Sequence, residues 1–210
     1  MKKINLMIIM LMTILTMQSC SQKYGTLTGN VFWKYNEYVG NKSDAGSEVF
    51  LYSLDTTKNL KFEATADLQG NYKIERIPIG KYFLIIQSKN TKDNPIYLLQ
   101  DLRVNKNEIK QIFKFDIDRY KEEIKDIKLE DSLALEKVRL STTTLDDYGN
   151  YLKHKEQISN KASILLESFP DSFKRDIYLY SLNAAYEFYV ITIEENKTEN
   201  VITDFGTTYL

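Results

Sequence analysis

The chain has 210 residues, of which 28 are Lys or Arg and 29 are Asp or Glu, and its formal net charge is −1. This balance lacks the basic surplus that nucleic-acid-binding proteins use to contact phosphate, so we expect no nucleic-acid partner. Three prolines and eight glycines beside 15 tyrosines and 10 phenylalanines describe a folded chain and exclude a disordered stalk.

The first predicted segment is an export leader. Two lysines follow Met1, and an apolar run from Ile4 to Met17 leads to Cys20. The run is too short for a stable membrane span. The arrangement resembles a bacterial lipoprotein signal, in which the cysteine is acylated and becomes the first residue of the mature chain. The resemblance implies a signal peptide over residues 1–19 and a lipidated tether over residues 20–25.

Cys20 is the only cysteine of the chain, so it has no partner for an intramolecular disulfide. The alternative to lipidation is an ordinary cleaved leader followed by a free thiol. Removing the leader leaves 26 basic and 29 acidic side chains. The residues after the cysteine, Ser21–Tyr24, carry no acidic cluster of the kind seen in some surface-exposed lipoproteins. We therefore expect a lipid-anchored protein on the outer membrane that faces the periplasm.

Short alternating segments extend from residue 26 to residue 115 and are separated by clusters of glycine, asparagine and serine. Apolar residues alternate with polar ones in most of them, and Tyr82–Ile86 is a continuous apolar run of strand length. About seven short strands at roughly ten-residue spacing predict a β-sandwich. The predicted strands lie near residues 27–35, 49–51, 62–66, 72–74, 82–86, 96–104 and 109–115.

Two turns within this region carry the most specific pattern of the chain. Asp67–Tyr72 reads Asp-x-x-Gly-x-Tyr, and Pro78–Tyr82 reads Pro-x-Gly-x-Tyr. Together with Gly29–Val31 and Ala45–Leu51, they resemble the carboxypeptidase regulatory-like domain family. The resemblance implies a transthyretin-like, or prealbumin-like, seven-strand sandwich over residues 26–115. It does not imply peptidase activity, because the catalytic domain that accompanies this module in peptidases needs a histidine-rich zinc site.

A period near 3.6 residues replaces the alternation over residues 116–210 and predicts about three amphipathic helices. The last stretch, from Val201 to Leu210, is interpreted as either an added strand or a loose tail. The predicted fold class is therefore α+β, with an N-terminal sandwich followed by a C-terminal helical segment of unknown family. The apolar stripes of the helices run through Ile117–Ile127, Leu145–Phe169 and Phe173–Ile191.

The sequence predicts no enzyme, metal or cofactor. His154 is the sole histidine and stands among charged residues on the polar side of a helix, which is not a zinc-binding pattern. Paired carboxylates such as Glu122 and Glu123 are adjacent on a helix and point in different directions, so they do not converge on a substrate.

Aromatic residues near the first strand are one candidate binding site. Trp33, Tyr35 and Tyr38 lie close together in the sequence, and such rings stack on sugars. Trp33 and Tyr35 also share the parity of Leu27 and Val31, which favours core packing. The hypothesis of a glycan-binding lipoprotein therefore competes with the interpretation that these rings belong to the core.

The third predicted helix is the candidate protein interface. Its aromatic residues occupy more than one face, so a closed three-helix unit would leave some of them exposed, with Tyr178, Tyr186 and Tyr189 as the candidates. The preferred hypothesis is a non-enzymatic, lipid-anchored envelope protein that acts as an interaction or structural accessory module with an envelope protein partner.

Overall fold

The computed structural model describes residues 23–36, 38–127, 145–179 and 184–207. The predicted leader and Cys20 lie outside the described residues. Within these ranges the strands are β1 Tyr24–Asn36, β2 Gly40–Ser43, β3 Glu48–Ser53, β4 Lys61–Thr65, β5 Asn71–Pro78, β6 Gly80–Gln87, β7 Tyr186–Ile193 and β8 Thr198–Thr207. The helices are α1 Pro95–Val104, α2 Lys106–Phe113, α3 Lys121–Ile127, α4 Leu145–Glu167 and α5 Asp171–Asp176, and a 3₁₀ turn spans Ile117–Tyr120.

The strands form two four-stranded sheets. In the first sheet, β8 pairs with one edge of the long strand β1 and runs parallel to it. Strands β5 and β2 pair with the other edge of β1 and run antiparallel to it. In the second, the order is β4-β3-β6-β7 and every pair is antiparallel. The C-terminal strands β7 and β8 therefore belong to different sheets, and each completes a sheet begun by N-terminal strands.

The side chains of β1 alternate between the space within the sandwich and the outer surface. Leu27, Val31 and Trp33 are buried, whereas Thr28 and Asn30 between them are partly exposed. The buried residues of the first sheet join the inward residues of the second in one apolar cluster. This cluster includes Leu27, Val31, Val49, Leu51, Tyr72, Ile77, Tyr82, Leu84, Ile191 and Val201.

The central strands of the second sheet, β3 and β6, are buried on both faces. Phe50, Phe83 and Ile85 point away from the sandwich interior and pack in a second cluster with residues of the helices, among them Leu99 and Phe173. A strand covered on both sides reads as a continuous apolar run, which explains the Tyr82–Ile86 segment. The molecule therefore has three layers: a sheet exposed on one side, a sheet whose centre is covered on both sides, and a helical layer.

The predicted order of a seven-strand N-terminal sandwich followed by helices is wrong. Six strands precede the helices and two follow them, and the segments predicted as strands near residues 96–104 and 109–115 form α1 and α2. The reason is local: the Asn94 side chain accepts a hydrogen bond from the Ile96 amide at 3.0 Å, and Pro95 occupies the first turn. This cap and proline favour the start of a helix. The short apolar run that follows fits the period of a strand as well as that of a helix, so it does not decide between them.

The third predicted helix is also wrong. Helix α5 ends at Asp176, and residues 186–193 form strand β7, which pairs with β6 along its whole length. Tyr186–Ile193 is rich in aromatic and β-branched residues, which favour strands, and its apolar positions also match a helical spacing. The interpretation of an added C-terminal strand is confirmed by β8, which runs to Thr207.

Both predicted turns form in the structure. Asp67 Oδ1 accepts hydrogen bonds from the amides of Gln69 and Asn71 at 2.9 and 2.8 Å. Gly70 has a φ of +79°, which favours glycine. At the second turn, the hydroxyl of the buried Tyr82 donates to the Pro78 carbonyl at 2.7 Å. These bonds hold β5 between two fixed ends.

Candidate functional site

The structure does not bring the three aromatic residues of the first strand onto one exposed platform. Trp33 is only 5% exposed, and its ring meets that of Tyr35 edge-on at 5.7 Å. The Lys42 ammonium lies 4.4 Å from the Tyr35 ring centroid and 5.7 Å from that of Trp33. Tyr38 is 99% exposed on the turn before β2. Stacking on a sugar needs an open ring face, and among the three only Tyr38 is fully open to solvent.

The three tyrosines predicted as a protein interface do not share one helix face either. Tyr186 is buried in β7, and its hydroxyl donates to the Tyr178 carbonyl. Tyr189 is partly buried, and its hydroxyl lies 3.3 Å from Thr203 Oγ1. Tyr178 follows α5 and borders a cleft that the sequence did not indicate.

This cleft, which we call the tyrosine cleft, lies where the edge of the second sheet meets the helical layer. Its volume is about 540 Å³. Tyr52 and the segment Asn59–Lys61 form the sheet wall, Gln111–Lys114 at the end of α2 form a second wall, and Arg175, Asp176 and Tyr178 at the end of α5 form the third. Three segments that are distant in the sequence therefore converge on it.

Each wall contains a non-glycine residue with a left-handed backbone. The φ angles are +43° at Asn59, +56° at Lys114 and +56° at Tyr178. Asparagine in a turn and the residue that ends a helix commonly adopt this conformation, but a bulky aromatic residue seldom does. The unusual residue is therefore Tyr178.

Tyr178 occupies the position after α5 where helices commonly place glycine. The Leu179 amide donates to the Lys174 carbonyl at 2.9 Å and the Tyr178 amide to the Arg175 carbonyl at 3.3 Å, which is the Schellman pattern. A left-handed backbone costs a residue with a Cβ roughly 1–2 kcal/mol. The Tyr178 ring stacks on Phe50 at 4.6 Å with an interplanar angle of 8°, which offsets part of that cost. Such strain is typical of residues held for function.

A lysine ammonium is fixed among the rings of the cleft. Lys61 Nζ lies 5.4 Å from the ring centroids of Phe50 and Tyr52 and 5.6 Å from that of Tyr178. It also pairs with Glu63 at 2.5 Å. Burial alone lowers the pKa of Lys61, but the hydrogen bond to Glu63 and the nearby tyrosine hydroxyls raise it above its ordinary value. Lys61 is therefore a fixed positive charge.

The hydroxyl of Tyr52 orders the inner end of the cleft. It donates to the Asp176 carbonyl at 2.9 Å and so ties the end of α5 to strand β3. Burial raises the pKa of Tyr52 to about 12, despite the opposing charge of Lys61. The hydroxyl therefore keeps its proton and its hydrogen bond at neutral pH.

The cleft and its immediate partners carry a small excess of positive charge. Lys114 Nζ donates to the Gln111 carbonyl at 2.7 Å, and Arg175 Nε lies 3.5 Å from Asp176 Oδ1. The Arg175 side chain is 68% exposed, so its guanidinium is accessible. Lys61, Lys114 and Arg175 supply three positive charges, and Asp176 supplies one negative charge. Glu63, which pairs with Lys61 from outside the lining, supplies a second negative charge, so the excess is one positive charge.

The described residues include no group of three or more His, Cys, Asp or Glu side chains placed to hold a metal ion. His154 lies exposed on α4. In the described ranges no helix is both long enough and apolar enough to cross a membrane. The chemistry that the tyrosine cleft offers is binding through aromatic faces, amides and positive charges.

Comparison with known proteins adds little. No protein-family model matches the chain, and no curated protein matches it. Among solved structures, the chain is similar to a Pseudomonas aeruginosa protein described provisionally as carbohydrate-binding. The TM-score is 0.34 at 10% identity, over 89% of this chain and 92% of the other. A likeness at this level carries no argument about function.

Proposed function

We propose that the chain is an exported, non-enzymatic binding protein, anchored by lipid on Cys20 to the outer membrane and facing the periplasm. It acts as an accessory module that holds a component of the cell envelope in the tyrosine cleft. Its sandwich, which resembles carboxypeptidase regulatory-like domains, is the rigid framework for that cleft. The lipid anchor keeps the cleft close to the envelope.

The observation that carries the proposal is the construction of the cleft. A cavity of about 540 Å³ lies within the range of about 300–1,000 Å³ that ligand pockets occupy. The strained Tyr178 and the fixed Lys61 are positioned by their neighbours before any ligand arrives. Such preorganisation lowers the entropy lost on binding. It therefore supports a binding role for the cleft.

The anchor is tested by lipid incorporation. Cells that express the full chain are grown with labelled palmitate, and the wild type is compared with Cys20→Ala. We expect label and outer-membrane fractionation only in the wild type. Equal fractionation of the two forms, with no label in either, would contradict the anchor.

The binding role is tested by cross-linking in the native envelope, with mass spectrometry for proteins and sugar analysis for glycans. Thr56, an exposed residue that lines the cleft, is replaced by tyrosine to fill it. The matched control is Leu68→Tyr, which adds a similar side chain at a position 82% exposed and outside the cleft. We expect a captured component that is lost in Thr56→Tyr and retained in Leu68→Tyr. Equal capture by both variants, or none by the wild type, would refute a role for the cleft.

A further inference from the structure

The lining of the tyrosine cleft combines two features that restrict its ligand. Its ring surface comes from Phe113 and Tyr178, which are half-buried, and the buried Tyr52 meets Phe113 edge-on at 5.1 Å. Its positive charges come from Lys114 and Arg175, each of which lies on the same wall as one of the two half-buried rings. A ligand that satisfies both needs an apolar face and a negative group.

The charged groups at the mouth keep donors for a ligand. In the described part of the chain, Lys114 Nζ uses one of its three protons on the Gln111 carbonyl. Arg175 makes a single contact through Nε with the adjacent Asp176 at 3.5 Å, a distance too long for a strong hydrogen bond. The planar guanidinium can therefore still donate two parallel hydrogen bonds to a carboxylate, which is its preferred geometry.

Side-chain amides and hydroxyls complete the lining. Asn59, Gln111 and Thr56 lie around the rings and offer both donors and acceptors. These side chains are exposed, and a ligand with several hydroxyl groups can bond to them in place of water. The shape also matters, because a cleft of about 540 Å³ lined by three segments suits a short ligand.

We infer that the tyrosine cleft binds the acidic sugar unit of a polysaccharide, with the sugar carboxylate at Lys114 and Arg175 and the sugar ring against the aromatic wall. This inference rests on the proposed binding function and names its ligand class. The contacts with Lys114 and Arg175 distinguish a uronic acid from a neutral sugar. The rings of Phe113 and Tyr178 distinguish it from a free anion and from an acidic peptide that has no ring.

The test is calorimetric titration of the full-length lipidated protein in detergent. The probes are tetragalacturonate, the neutral maltotetraose and the acidic peptide tetraglutamate. We expect tetragalacturonate to bind at least about tenfold more tightly than either of the others, and its affinity to fall with added salt. Equal affinity for maltotetraose would overturn the role of charge. Equal affinity for tetraglutamate would overturn the choice of a sugar.

Variants locate the binding. The double substitution Lys114→Gln with Arg175→Gln should weaken tetragalacturonate at least about tenfold. The matched control, Arg103→Gln with Lys121→Gln, removes the same charge at exposed positions outside the cleft and should change nothing. If both double variants lost the same affinity for tetragalacturonate, the net charge of the protein would explain the effect, and the inference would be overturned.

The fluorescence of Trp33 supplies a second readout, because Trp33 lies outside the cleft lining. It should stay unchanged on titration, and quenching would assign the sugar to the first-strand aromatics and overturn the inference. The cross-linking experiment separates the two proposals. A cleft-dependent protein partner without uronate binding would refute the acidic sugar and leave the binding function standing.

Discussion

Gly29 lies beneath the ring of Tyr72, and replacing it with alanine should destabilise the protein strongly. In the register of the first sheet, Gly29 pairs with Tyr72 of β5 on one side and with Val201 of β8 on the other. The buried Tyr72 ring crosses the glycine, and its hydroxyl donates to the Val201 carbonyl at 3.2 Å. A Cβ on Gly29 would lie 2.1 Å from that carbonyl oxygen and 2.4 Å from the Tyr72 hydroxyl.

The added methyl group therefore has to move both neighbouring strands or expel the Tyr72 ring. Overpacking a core costs about 1–3 kcal/mol, and leaving a buried hydrogen-bonding group without its partner costs about 1–3 kcal/mol more. We expect Gly29→Ala to lower the free energy of unfolding by about 3–5 kcal/mol. Tyr72→Phe, which removes only the hydroxyl, should lose about 1–2 kcal/mol and so reports the hydrogen-bond share.

The assay is urea unfolding followed by Trp33 fluorescence and circular dichroism. The matched control is Gly149→Ala on α4, where a Cβ would have no heavy atom within 4 Å. Because alanine is the better helix former, this control should gain about 0.5–1 kcal/mol. The two alanines should therefore act with opposite signs. A loss of less than about 1 kcal/mol in Gly29→Ala, at an unchanged slope, would refute the argument.

Two further predictions concern buried carboxyl groups. Asp44 is fully buried and accepts hydrogen bonds from the Ser88 hydroxyl and from the backbone amide and side-chain amide of Asn90. In the same urea assay, Asp44→Ala should lower the free energy of unfolding by about 3–5 kcal/mol. A loss near zero would contradict this prediction. Burial raises the pKa of Asp101 to about 6 and that of Glu187 to about 7. Since the unfolded chain ionises these groups at lower pH, the free energy of unfolding should fall as the pH rises from about 4 to about 7. Glu187→Gln should flatten the upper part of that fall. Urea midpoints measured across this pH range will check both expectations.

Local chemistry accounts for what the sequence predicted correctly. The turn from Asp67 to Gly70 depends on a side-chain acceptor and a positive φ, both of which are set by neighbouring residues. The burial of Tyr72 and Tyr82 follows from strand parity after each turn. These features need no knowledge of distant residues, so they could be predicted from a single sequence.

The helix at Pro95–Val104 shows where local signals were available and outweighed. An asparagine followed by a proline is typical of a helix start, but the apolar run Ile96–Leu99 is also of strand length. The buried residues of α1 are Ile96, Leu98, Leu99 and Leu102, which lie on one helical face. The short apolar run was interpreted as a strand because neighbouring segments alternate at a similar spacing.

The tyrosine cleft could not be predicted from the sequence, because it depends on pairing between distant residues. Tyr52 and Lys61 come from the sheet, Phe113 from α2, and Tyr178 from the end of α5. No spacing in the sequence relates these positions. The only local trace is the left-handed Tyr178, and a backbone angle is not visible in a sequence.

The position of the cleft follows from the way the helices are inserted. Gln87 at the end of β6 pairs with Tyr186 at the start of β7, so residues 88–185 leave and re-enter the second sheet at one point. Two adjacent strand ends need only a short turn, and lengthening a flexible connection to this extent costs about 3 kcal/mol in loop closure. The inserted helices offset that cost by covering the outer face of the second sheet. The same insertion places α2 and α5 beside the sheet edge. The sandwich therefore supplies one wall of the cleft, and the insertion supplies Lys114 and Arg175, the residues inferred to select the ligand.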